Sequence, residues 1–186
     1  MSSTLLLPAE RDVGDLIYLD FDGVLHPDAV YRHREAPYIR LRAPGHELFE
    51  SCGVLERALL PYPDVSIVLS TSWVSEFSFE FARASLSRDL QRRVVGATFD
   101  SQLFDRYAYA TLTRYEVVQH DVERRGPVRW LAVDNDDAGW PDTARRRLVR
   151  PPDQLGLACP KTQTDLARKL RATFGRGTPG GATGAR

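Results

Sequence analysis

Residues 16–28 read LIYLDFDGVLHPD: an aliphatic run, then two aspartates one residue apart, then a glycine. A short apolar run that stops at a turn former reads as a buried strand. Ending it on Asp20 and Asp22 sets two carboxylates beside an apolar core, where clustered negative charge resists desolvation unless something compensates it. The chain does this a second time, in VRWLAVDNDD (128–137), which ends on Asp134, Asn135, Asp136 and Asp137.

Working outward, VSIVLS (65–70), RVVGATF (93–99) and RLVRP (147–151) join 16–20 and 128–134 as five expected strands. Segments around 47–60, 75–91, 113–125 and 162–173 carry apolar residues three and four apart and read as helices. Strands alternating with helices, two of them almost wholly aliphatic, predict a doubly wound parallel sheet covered on both faces: a three-layer α/β/α Rossmannoid domain. One stretch stands apart. Residues 27–46 hold two short alternating runs around Ala36 and Pro37, and predict a β-hairpin flap with Ile39 and Leu41 on one face and Arg40 and Arg42 on the other.

In such sheets ligands sit at the carboxyl ends of the strands, so the two acidic ends would face one crevice. Oxygen donors without histidine or cysteine suit a hard cation, Mg²⁺ first. A third strand, VSIVLSTSW, ends on Ser70, Thr71 and Ser72, where hydroxyls and free N–H groups at a helix start can receive an anion; phosphate is the natural candidate.

Taken together, Asp20-Phe21-Asp22-Gly23-Val24, the strand ending in Ser/Thr, a basic residue opening a later helix and the acidic strand end resemble the haloacid dehalogenase superfamily of phosphatases, over nearly the whole chain. The resemblance implies that Asp20 is the nucleophile, forming an aspartyl-phosphate, and Asp22 the general acid and base. Thr71, or Ser70 beside it, would bind the phosphoryl group. The cationic position, usually lysine, falls to Arg114 in TLTRYEVVQHDV, because the two lysines, Lys161 and Lys169, both follow Asp134. Mg²⁺ would be held by Asp20, the main-chain carbonyl of Asp22 and Asp134, with Asp136 or Asp137 in support, since the position after Asp134 is Asn135. LSTSW, WLAVDNDD and LGL (155–157) look most like the subgroup named after Swiss-army-knife RNA repair proteins. These cues imply a Mg²⁺-dependent phosphohydrolase acting on a phosphorylated substrate, with an RNA or nucleotide phosphate the leading candidate. A phosphate-binding module without turnover is the alternative.

The rest of the chain narrows the field. Its 186 residues suit a single domain, taken as 1–174, ahead of a glycine-rich tail (175–186) that cannot repay the entropy of ordering. A net charge of zero gives no whole-chain attraction to polyanions. Cys52 and Cys159 lack metal-type spacing and predict free thiols; with no membrane-length apolar run, a cytoplasmic protein is expected. DNDDAG fails as a calcium loop, because its twelfth position is Arg145 where Glu is needed. The arginines at 145–147 read as a solvated surface, His26 as a structural histidine, and Trp73, Trp130 and Trp140 as packing residues.

Overall fold

The computed structural model describes residues 14–32 and 39–175. The expected turn of the flap, with His33 and Arg34, and the tail beyond Gly175 lie outside the described residues.

In chain order the elements are β1 (Asp15–Leu19), β2 (Val30–Arg32), β3 (Ile39–Leu41), α1 (Cys52–Leu59), β4 (Ser66–Leu69), α2 (Ser72–Glu76), α3 (Phe79–Ser85) and α4 (Arg88–Arg93). There follow β5 (Val94–Ala97), α5 (Arg106–Ala110), α6 (Arg114–Arg125), β6 (Arg129–Val133), β7 (Leu148–Val149) and α7 (Pro160–Phe174). The five expected strands form one parallel sheet in the order β5-β4-β1-β6-β7, with Ile17 beside both Ile67 and Leu131. The order reverses at β1, the switch point where an open α/β sheet places its ligand crevice.

Strand β1 shows why the sheet needs two covered faces. Ile17 and Leu19 pack on one side with Leu55, Leu59, Leu166 and Leu170 of α1 and α7, while Leu16 and Tyr18 pack on the other with Val118 of α6, Trp130 and Trp140. An alternating strand could not do this; a continuous aliphatic one can.

The flap is the expected antiparallel pair, β2 with β3, in the register Val30 to Leu41, Tyr31 to Arg40 and Arg32 to Ile39. Arg40 and Arg42 are exposed, Ile39 and Leu41 half-buried, and Val30 and Ile39 rest on the core.

The helix expected around 75–91 is three short ones. Ser78 turns out of helical geometry and its Oγ accepts Phe81 N–H (3.0 Å), starting α3, and the extended backbone of Ser87 starts α4. Serine competes for backbone groups and so divides a continuous apolar period. Helix α5, capped by Asp105, was not expected. Cys52 is buried and Cys159 half-buried, with no disulfide between them. Among the described residues no helix is long and apolar enough to cross a membrane.

Two local devices fix the parts nearest the crevice. Thr113 and Glu116 form a reciprocal capping box at the start of α6, which sets Arg114 as the first helical residue. Gly156, at φ +51°, lies so close to the turn after β1 that a Cβ there would come within 2.3 Å of Val24 O, while Leu157 N–H donates to that same carbonyl (2.8 Å).

Gly156→Ala is therefore expected to cost about 2 kcal/mol or more in urea unfolding, through both left-handed strain and overlap with backbone. Gly14→Ala, where a Cβ meets nothing within 4 Å, should stay within about 0.5 kcal/mol of the parent. Thr113→Ala should cost about 1 kcal/mol by loss of the cap.

Candidate active site

The sheet's own hydrogen bonds assemble the crevice. Just past each strand end, Asp20 N–H donates to Val133 O (3.0 Å), Ser70 N–H to Leu19 O (2.8 Å) and Asp134 N–H to Val149 O (3.1 Å). The first residues beyond β1, β4 and β6 thus stand side by side, and all three are buried.

Arg114 reaches in from the first turn of α6. Its Nη2 lies 2.8 Å from Asp20 Oδ2 and 2.7 Å from Asp134 Oδ2, its Nε donates to Asp134 Oδ2 (2.8 Å), and Nη2 donates to Ser70 O (2.5 Å). One guanidinium thus ties together three strand ends. All three strand ends are met by Nη2, and the fork of the guanidinium adds through Nε a second bond to Asp134 that a lysine's single nitrogen would lack.

Burial dominates the electrostatics. It pushes the carboxyl of Asp20 well above its ordinary range; Arg114 opposes the shift, while Asp134 and Asp22 add to it. Asp134 is raised for the same reason, again against the pull of Arg114. Burial alone would lower the pKa of Arg114, but Asp20 and Asp134 more than reverse this, so the guanidinium stays charged. Two buried carboxylates thus share one cation, leaving negative charge uncompensated. Around them, burial raises Asp28, helped by Asp22 and Asp153, so the acidic character extends to the rim.

Asp22 is more open, its side chain 25% exposed. His26 Nε2 lies 2.9 Å from Asp22 Oδ1, and the indole N–H of Trp73 donates across both carboxylate oxygens, at 3.3 and 3.1 Å. Expected to be structural and packing residues, both also bond a site residue. Apart from Trp73 closing LSTSW, the trace in the sequence is spacing: His26 follows Asp22 by four residues, and Trp73 follows Thr71 by two. Nothing there announces a hydrogen bond.

Thr71 and Ser70 divide the work at the end of β4. Thr71 is the N-cap of α2, its Oγ1 accepting Trp73 N–H (3.4 Å). Among the described residues the Ser70 hydroxyl, which is buried, has no hydrogen-bond partner, a costly state that a polar ligand would relieve.

In the loop after β6, Asp134 Oδ1 accepts Asp136 N–H (2.9 Å) and Asp136 Oδ1 accepts Ala138 N–H (2.8 Å). Asp137 turns elsewhere: Arg145 Nη1 donates to it at 2.6 Å and Arg150 Nε lies 3.5 Å away, and the Arg145 hydrogen bond leads in holding its carboxyl below the usual range. Asn135 packs over Gly23. At φ +67°, a Cβ on Gly23 would sit 2.4 Å from the Asn135 amide, whose Nδ2 also donates to Asp153 Oδ1 (3.2 Å).

Among the described residues no three His, Cys, Asp or Glu side chains form a metal-holding group. The donor chemistry nonetheless fits a hard divalent cation. Asp20 and Asp134 are all-oxygen ligands, jointly undercompensated by Arg114.

Comparison with curated proteins and with solved structures returned no match. A family model described as "HAD domain in Swiss Army Knife RNA repair proteins" matches residues 16–162, from the first core residue of β1 to the first turn of α7. The match spans all five sheet strands and every residue of the crevice, and it points to hydrolase chemistry of the haloacid dehalogenase type. On fold, strand-end geometry and sequence together, the chain belongs to the family of haloacid dehalogenase domains found in Swiss Army Knife RNA repair proteins.

Proposed function

We propose that the protein is a Mg²⁺-dependent phosphomonoester hydrolase that works through an aspartyl-phosphate on Asp20. The observation that carries this reading is the convergence of Asp20, Ser70 and Asp134 on the Arg114 guanidinium, with Asp22 two residues away and open to solvent.

In the first step a carboxylate oxygen of Asp20 attacks phosphorus in line. The bond from phosphorus to the substrate oxygen breaks, and Asp22 gives that oxygen its proton. In the second, Asp22 takes a proton from water as the water oxygen attacks phosphorus, the bond to Asp20 breaks, and phosphate leaves. Arg114 orients the nucleophile and offsets the charge that builds on the phosphoryl oxygens; Ser70 and Thr71 receive those oxygens. Mg²⁺ held by Asp20, Asp134 and the Asp22 carbonyl, with Asp136 in support, would supply further charge neutralisation and alignment. Asp137 would enter only by leaving Arg145.

The short flap favours an open site and a large substrate such as a nucleic-acid end. Its exposed face supports a nucleotide: Tyr31 is half exposed, with the Arg42 guanidinium 4.6 Å above its ring, and an aromatic next to a cation suits a base and its phosphate.

The same Arg114 bond to Asp20 also fits a domain that binds phosphate without turning it over. Steady-state hydrolysis of aryl and nucleotide phosphates with Mg²⁺ separates the two readings. Hydrolysis should vanish with chelator and in Asp20→Asn, and Asp22→Asn should lower kcat by about 10²–10⁴-fold; phosphate binding with no Mg²⁺-dependent turnover would favour the module. Arg114→Met should destabilise the fold by about 3–5 kcal/mol, because it strands two buried carboxylates. Arg114→Lys should recover part of that stability but little of the rate.

A further inference from the structure

We propose that His26 and Trp73 are positioning residues: His26 engages Asp22 Oδ1 and Trp73 holds the carboxylate across both oxygens, which leaves Oδ2, with fewer donors on it, as the oxygen that carries the proton to and from substrate. The role rests on the reading of Asp22 as general acid and base.

The imidazole is fully buried, and its orientation is set from behind. Phe49 N–H donates to His26 Nδ1 (3.2 Å), so Nδ1 is the acceptor and the ring proton belongs on Nε2, facing Asp22 Oδ1 at 2.9 Å. Phe49 holds φ +61°, the only non-glycine residue among those described in the left-handed region. A bulky aromatic adopts that conformation only where its surroundings over-determine it. Here they do: the Phe49 ring packs edge-on against His26, Phe21 and Trp73, at centroid distances of 4.9, 5.2 and 5.2 Å. The indole N–H of Trp73, 51 residues along the chain, lies 3.3 Å from Oδ1 and 3.1 Å from Oδ2.

Oδ1 takes N–H contacts from both His26 and Trp73 while Oδ2 takes one, so an acid proton on Asp22 sits on Oδ2. A single such orientation keeps the proton within reach of the leaving oxygen, and that matters only when the leaving group needs protonating. A merely structural role would lower all turnover alike.

The test compares p-nitrophenyl phosphate, whose leaving group departs as a stable anion, with glycerol 2-phosphate, whose alkoxide must be protonated. In His26→Leu and Trp73→Phe, kcat on glycerol 2-phosphate should fall at least about tenfold further than on p-nitrophenyl phosphate, with KM little changed, within the range a general acid contributes. His26→Gln, which keeps an N–H donor at the Nε2 end, should recover most of the difference. Equal losses on both phosphates, or none, overturn the role alone. A wild type that turns over neither phosphate overturns the hydrolase reading and this role with it. Should the variants fail to fold, ¹⁵N NMR of the wild-type imidazole decides: a proton on Nε2 and a bare Nδ1 are expected, and an Nδ1-protonated ring overturns the proposal.

Discussion

The guanidinium of Arg114 lies between two carboxylates that the sheet has taken almost entirely out of water. Asp134 is 2% exposed and Asp20 8%, and such groups persist in a fold only where a partner offsets their lost hydration. The partner's position is itself secured. Arg114 is the first residue of α6, the helix begins where Thr113 and Glu116 cap it, and Gly139 of the acidic loop sits so close to Thr113 that a Cβ would approach its Oγ1 to 2.3 Å. Tyr115 N–H then donates to Ala138 O (3.2 Å), so the loop that bears Asp134 and the helix that bears its counter-charge are packed as one piece.

Because a single positive charge serves both carboxylates, the site is poised rather than relaxed. The pair stabilises the arginine, yet burial still drives both acids toward protonation. That imbalance is what the proposed Mg²⁺ would offset on binding.

Much of this was legible in the sequence because it depends on residue type and local order. The aliphatic runs of β1 and β4 announced the two-sided sheet, the aspartates that end β1 and β6 announced the acidic crevice, and Arg114 stood out because no lysine precedes Asp134. Less could be read where long-range geometry decides. The period of 75–91 continues through Ser78 and Ser87, so the apolar pattern concealed two helix breaks. Asp136 and Asp137 are adjacent in sequence, yet Arg145 and Arg150 draw the second away. Asp153, from the loop after β7, comes beside Asn135 through tertiary folding alone. His26 carries no motif, and LSTSW does not say what Trp73 bonds; their bonds to Asp22 exist only once α2 and the turn after β1 have met.

The contact between Gly23 and Asn135 bears on how such a site can change over generations. The amide fills the space a side chain on residue 23 would take, so each position sets the size the other can have. A larger residue at either one has to arrive with a smaller or displaced one opposite. The loops after β1 and β6 are then inherited as a matched set, and variation in related chains should run through both positions together rather than through either alone.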